Sequence, residues 1–210
     1  ISKDRGIVWE CEMTMPWITP VTLQGKHVRL EPLSEAHIKG LAEIGVGQDF
    51  WDYMLYGRMK TQEDMRNWVL DIMGRGENGT DLPFTVIHLG SGRVAGATRY
   101  LNIMPKDRGL EVGGTWYGLD FQRTPVNTEC KYLLLTHAFE TLRCIRVQIK
   151  TDSRNVRSQK AIERIGAVKE GVLRNHMILP SGHYRHSVFY SIIDSEWEKV
   201  KKNLEAMLGG

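Results

Sequence analysis

From Glu111 to Gly166 the chain runs strand, loop, helix, strand, loop, helix, and no other stretch restricts its fold as much. Ile145, Val147 and Ile149 alternate with Arg146, Gln148 and Lys150, the period of two expected of a strand. Before it, a helix starting near Thr128 carries Cys130, Leu134, Leu135, Ala138, Phe139 and Leu142 on one side. After it, Asn155 opens a helix with Ala161, Ile162 and Ile165 facing inward and Gly166 as its C-terminal cap. The junction Gln122-Arg123-Thr124-Pro125-Val126-Asn127-Thr128 carries the chemistry. A strand that feeds a helix start presents free backbone N–H groups and the positive end of the helix dipole, and both attract an anion. Pro125 is pre-shaped for the first helical turn and Arg123 adds a cation, so a pyrophosphate suits this junction.

The flanking sequence completes a sheet. Val28-Arg29-Leu30-Glu31-Pro32-Leu33 alternates as a half-buried strand, with Pro32 at an edge or an end. Ser34 caps a helix carrying Ile38, Leu41, Ala42 and Ile44 and stopping near Gly45; Thr61 and Asp64 form a capping box ahead of Met65, Trp68, Val69, Ile72 and Met73. Phe84–Ile87 and Val94–Thr98 flank Gly90-Ser91-Gly92 as a hairpin, and a third strand runs from Leu110 to Leu119. Val168–Ile178 and Tyr184–Ile193 make a second hairpin around Pro180-Ser181-Gly182. Asp194 caps a last helix with Trp197, Val200, Leu204, Met207 and Leu208 inward. No repeat, low-complexity tract or linker interrupts the series. Residues 15–210 therefore read as one domain, and residues 1–14 as an upstream extension or an expression remnant.

At 210 residues the chain is long enough to bury one core. Its 28 Lys+Arg and 25 Asp+Glu leave a net charge of +3 without a dense basic run, so no phosphate-tracking surface for nucleic acid is indicated. Cys11, Cys130 and Cys144 are odd in number and far apart, which offers neither a disulfide framework nor a metal site and fits a reducing cytoplasm. No apolar run approaches the roughly 20 residues that cross a bilayer, and no leader pattern is present, so neither a membrane nor a secreted location is expected.

Four segments in this order resemble the acetyl-CoA-binding core of the GNAT superfamily of N-acetyltransferases. They are Leu110-Glu111-Val112-Gly113 entering a strand, the Gln122–Thr128 loop, Asn155-Val156-Arg157-Ser158 opening a helix, and Ile165-Gly166-Ala167-Val168-Lys169-Glu170-Gly171 leaving it. Within the superfamily the chain is most similar to the bacterial subgroup that acetylates the N-termini of ribosomal proteins, and the resemblance runs from about Thr22 to Trp197. It implies an α/β (α+β) fold: a mixed, mainly antiparallel sheet flanked by helices, with a splayed parallel strand pair where the cofactor enters. It also implies acetyl-CoA as donor without a metal, a protein N-terminus or small molecule as amine acceptor, and a homodimer. The family loop usually reads Gln/Arg-x-x-Gly-x-Gly/Ala, whereas Pro125 here has no N–H to give. Cofactor contacts then fall to Gln122, Arg123, Thr124, Val126, Asn127 and Thr128.

By the same resemblance, backbone groups of Thr115, Trp116 and Tyr117 hold the pantetheine arm and polarise the thioester carbonyl, the logic of an oxyanion hole. Asn155 hydrogen-bonds that arm, and Ser158, one turn further on, is the acid for the departing thiolate. Glu111 is the expected base, directly or through water, with His176 as rival. The subgroup's own base position falls at Met177, which accepts no proton. Plainer readings stand beside these: Asn155 as an N-cap with Ser158 in the first turn, Glu111 as a strand-end carboxylate, His176 as a surface strand residue, and His137 as a polar-face residue. Phe50, Trp51, Tyr53, Met54 and Tyr56 read equally as core or as a wall of the acceptor site. Two other functions compete, an enzyme inactivating an antibiotic or toxin amine, and an acetyl-CoA sensor without turnover that Pro125 and Met177 keep in play.

Overall fold

The computed structural model describes residues 17–209; the expected extension, residues 1–14, lies outside them. Eight strands form one sheet: β1 (Leu23–Gln24), β2 (Val28–Pro32), β3 (Leu82–His88), β4 (Val94–Met104), β5 (Gly109–Tyr117), β6 (Arg146–Asp152), β7 (Val168–Ile178) and β8 (Tyr184–Ile193). Their order is β1-β2-β3-β4-β5-β6-β8-β7, antiparallel throughout except where β5 meets β6. The helices are α1 (Ile38–Gly45), α2 (Gln62–Glu77), α3 (Pro125–Thr136), α4 (Val156–Arg164) and α5 (Asp194–Met207). This is the mixed, mainly antiparallel α/β sheet that the sequence predicts, with its parallel pair at the expected place.

Neighbouring residues of β5 show that both sheet faces are covered. Trp116 packs against Trp68 of α2, while the next side chain, Tyr117, meets Cys130 of α3. Successive strand side chains point to opposite faces, so α1 and α2 cover one side and α3 the other. Trp51, Trp68 and Trp116 interlock in the first core layer, and Tyr100, Leu134 and Leu135 fill the second. Among the described residues no helix is long and apolar enough to cross a membrane.

Element bounds differ from the periodic reading where side-chain pattern gives way to backbone hydrogen bonding. α3 begins at Pro125, ahead of the apolar pattern that starts at Thr128 but where the proline suits a first helical turn, and the Thr124 hydroxyl caps it by accepting from the Val126 amide at 3.3 Å. β5 ends at Tyr117, and Leu119–Phe121 form a short 3-10 turn instead of continuing the strand. His137 opens a wider π turn, His137–Thr141, at the end of α3, where its ring stacks on Tyr100 and burial pushes its pKa down. That is a half-buried packing position.

One buried carboxylate ties α3 to the sheet edge. Glu129 accepts the amides of Lys26, His27 and Val28 at 2.8, 2.6 and 2.7 Å, closing the β1–β2 turn over the helix. Hydrogen bonds to a charged group each contribute about 1.5–3 kcal/mol, and orphaned amides add desolvation cost. Glu129→Ala is therefore expected to lower stability by about 3 kcal/mol in urea unfolding, with Glu129→Gln losing less. An unchanged unfolding midpoint in the alanine variant would show that these bonds are replaced by water without penalty.

Candidate active site

The parallel pairing of β5 with β6 lasts three residues, from Gly109 opposite Arg146 to Glu111 opposite Gln148. Beyond it β6 continues on β8 and β5 continues on β4, so the two strands part. A bulge bends β5 away: three residues of β4, Ala97 to Arg99, face four of β5, Gly113 to Trp116, with Gly114 at φ +58. A side chain at that φ costs about 1–2 kcal/mol, and a Cβ there would sit 3.0 Å from Arg99 Nε.

Past the bulge the strand alternates normally. The Gly118 amide donates to the Ala95 carbonyl, and a Cβ on Gly96 would run into the Trp116 carbonyl, so Trp116 turns its backbone toward β4. Thr115 and Tyr117 turn theirs toward the gap. The edge open to a ligand is thus that pair, while Trp116 contributes its ring to the aromatic core beneath. The Tyr117 carbonyl already accepts from Gln122 Nε2 at 3.0 Å, and Gln122 Oε1 accepts from Arg157 at 2.7 Å, which links the end of β5 to α4 across the gap.

The gap opens into a cleft of about 1110 Å³. At its mouth stand the starts of α3 and α4. Thr124, Pro125, Asn127 and Thr128 line it, and Arg123 enters α3 in a left-handed conformation, φ +60. Val126 is buried with its amide on Thr124, so the first-turn amides of Asn127 and Thr128 remain the ones facing the mouth. Asn155 Oδ1 caps α4 by accepting from the Ser158 amide at 3.0 Å. That is the plain N-cap reading, and it leaves the Asn155 amide nitrogen as a donor beside the Ser158 hydroxyl on the cleft wall.

Sequence reasoning passed over four cations here. Arg157, Lys160 and Arg164 line the cleft at i, i+3 and i+7 of α4, a spacing that marks one helix face. Arg164 also donates to the Thr128 hydroxyl at 3.0 Å, joining the end of α4 to the first turn of α3. The fourth, Lys131, is buried on α3 with Nζ 3.1 Å from the Thr115 hydroxyl, and burial pulls its pKa down to about 8. Its only sequence signal was a lysine set between apolar positions Cys130 and Leu134.

At the closed end, Glu111 is 2% exposed. Its Oε2 accepts from Asn102, Gln148 and Lys150 at 2.8, 2.9 and 2.9 Å, while Oε1 makes no hydrogen bond among the described residues. His176 bonds Ser187 Oγ through Nδ1 at 3.0 Å and stacks edge-on against Phe189; burial first, then Lys150 and Arg185, lower its pKa. Glu111 lines the cleft, as does Met177, whereas His176 is not among the lining residues. The aromatic cluster divides between its two readings: Trp51 is fully buried with its indole N–H on the Gly45 carbonyl, while Phe50, Tyr53, Met54 and Tyr56 line the cleft. Among the described residues no group of three His, Cys, Asp or Glu side chains could hold a metal ion.

Comparison with known proteins agrees with this geometry. Residues 27–168 match the acetyltransferase (GNAT) domain family, and the chain belongs to that family. A curated Bacillus subtilis (strain 168) protein named "Putative ribosomal N-acetyltransferase YdaF" is 32% identical over 110 residues, which is 52% of this chain and 59% of that protein. A solved structure from T. thermophilus, named as a putative acetyltransferase, superposes with a TM-score of 0.84 at 38% identity, over 91% of this chain and 99% of the other. A GCN5-related N-acetyltransferase from Brucella melitensis gives 0.85 at 28% identity, over 92% and 87%.

Lys131 makes the site's burial measurable. Its folded-state pKa of about 8 lies below the ordinary lysine value of 10.5. Below pH 8 both folded and unfolded chains carry the proton, and the full desolvation penalty acts. Between pH 8 and 10.5 the unfolded chain binds more protons, so stability rises with pH. Lys131→Met should therefore be more stable than the parent at pH 7, by about 3 kcal/mol, and the gap should close toward pH 10.5. Parallel stability curves for the two proteins across that window would mean the ammonium is solvated.

Proposed function

We propose that the protein transfers the acetyl group of acetyl-CoA to a primary amine, in a complex with both substrates bound. The observation that supports this most is the unpaired edge of β5 beyond Glu111, facing two helix starts and four cations. Bound acetyl-CoA supplies an acetyl group activated as a thioester. The Asn127 and Thr128 amides, with Arg123, Arg157, Lys160 and Arg164, match a diphosphate in charge and donor type. The Thr115 and Tyr117 backbone would continue the sheet with the amides of the pantetheine arm, assisted by Asn155 Nδ2. Pro125 removes no needed donor, since an N1 amide is replaced here by the α4 cations.

Glu111 is the group we assign to take the amine's proton, directly or through water. Asn102, Gln148 and Lys150 fix its Oε2, and Oε1 is left without a hydrogen bond among the described residues. Ser158 would return a proton to the departing sulfur. Tyr53, Met54 and Tyr56 form the wall against which the acceptor lies. The matched Bacillus relative is named for ribosomal N-acetylation, which favours a protein N-terminal amine over an antibiotic or toxin as acceptor.

Thiol release from acetyl-CoA, with a panel of amines and N-terminal peptides, tests the reading. Ser158→Ala is expected to lower kcat by about a hundredfold with coenzyme A affinity nearly intact. Arg123→Ala should instead weaken coenzyme A binding about tenfold, near 1.4 kcal/mol. Unchanged turnover in Ser158→Ala would remove its role as acid, and cofactor binding without thiol release above background would identify a sensor.

A further inference from the structure

Four carboxylates line the cleft away from the two helix starts, and each already faces a cation. Asp71 lies 3.0 Å from Arg75, Asp81 2.9 Å from Arg99, Glu111 2.9 Å from Lys150, and Asp152 2.8 Å from Arg154. Arg185, on β8 directly across from Met177, has no carboxylate within ion-pair distance among the described residues. It is nonetheless 7% exposed and lines the cleft. Its Nε donates to Ser187 Oγ at 3.0 Å and its Nη1 to the Tyr53 carbonyl at 3.1 Å, while Nη2 makes no hydrogen bond among the described residues.

Both anchors are neutral acceptors, so they orient the guanidinium without neutralising it. Burial lowers its pKa, against the pull of Asp152 and Glu111 and with the push of Arg154, yet a guanidinium keeps its proton in proteins. Asp152 and Glu111 are each held by a nearer cation of their own. Lys150 and Arg154 take the direct ion pairs with Glu111 and Asp152, and Arg185 is left with uncharged anchors. A buried cation without a partner is costly, and a fixed planar fork with an open N–H edge matches a carboxylate.

We propose that Arg185 receives a carboxylate on the acceptor, so that the amine acetylated belongs to an amino acid or to an acidic peptide and not to a plain amine or polyamine. This rests on the acetyl-transfer reading above. The carboxylate can be the α-carboxylate of a free amino acid or an Asp or Glu side chain close behind a peptide N-terminus. Either would sit within reach of Tyr53 and Arg185 while the amine is directed toward Glu111.

The test compares matched acceptors with the full chain and acetyl-CoA: free amino acids against their amides, and short peptides with Asp or Glu as second residue against the Asn or Gln versions. One pair should show the acid ahead of its amide at least about tenfold in kcat/KM, mainly through KM, and that pair identifies the source of the carboxylate. Arg185→Gln should abolish the ratio and Arg185→Lys retain part of it, with coenzyme A affinity unchanged in both. Equal rates for acid and amide in both pairs of the parent protein, or a ratio that survives Arg185→Gln, would overturn the proposal; the first comparison needs no variant to fold. If no amine is turned over, the acetyl-transfer reading fails by itself. Calorimetric binding of the same pairs to the coenzyme A-loaded protein then decides the role of Arg185, with equal affinities overturning it and an acid preference lost in Arg185→Gln upholding it.

Discussion

A sheet interior normally pairs every backbone group, and here it stops doing so after Glu111. Unpaired amides and carbonyls in a buried strand are costly, so a gap between two central strands would close unless other contacts held it open. Three do. Gly113-Gly114 admits the bulge that turns β5 aside. Trp116 is wedged among Phe50, Trp51 and Trp68, which fixes the outer half of β5 against the α1–α2 layer. Gln122 then takes the Tyr117 carbonyl and reaches Arg157, setting the width of the opening. The cleft is therefore a built feature of the fold, with its own supporting contacts on both banks.

Charge is distributed unevenly along that cleft. Arg123 and Arg157 stand beside two helix starts, where dipole and side chains act in the same sense, and Lys160 and Arg164 line the cleft further along α4. The closed end is a set of matched ion pairs around Glu111 with Arg185 left over. A donor rich in phosphate suits the first region, and an acceptor carrying both an amine and an acid suits the second. Lys131 lies between, its side chain packed beside Thr115 with Nζ on the Thr115 hydroxyl, and burial lowers its pKa.

Most of the architecture was legible because it follows from periodicity. The alternation of Ile145 to Lys150, the apolar faces of α2 and α5, and the Gly-rich hairpin turn all recur in the structure as β6, two packed helices and the β3–β4 connection. What periodicity misses is backbone geometry. The three-residue limit of β5–β6 pairing, the φ of Gly114 and the orientation of Trp116 away from the gap leave no mark in an apolar pattern. The site residues divide the same way. Asn155 as an N-cap and the α3 start could be read from capping chemistry, whereas Ser158 and Glu111 entered as candidates through the family resemblance. Arg185, Lys131 and the carboxylate–cation pairs are long-range: Arg185 meets the Tyr53 carbonyl 132 positions away, a contact that only the β7–β8 hairpin folding back toward the aromatic segment creates.

The central claim is that the free edge of β5 is completed by a bound ligand. Amide hydrogen exchange with and without acetyl-CoA addresses it residue by residue. The account predicts that the Trp116 amide, turned to β4, is protected in both states, while the Thr115 and Tyr117 amides exchange readily in the free protein and slow when the ligand is added. Thr115 and Tyr117 amides already protected in the free protein, or indifferent to saturating acetyl-CoA, would contradict it.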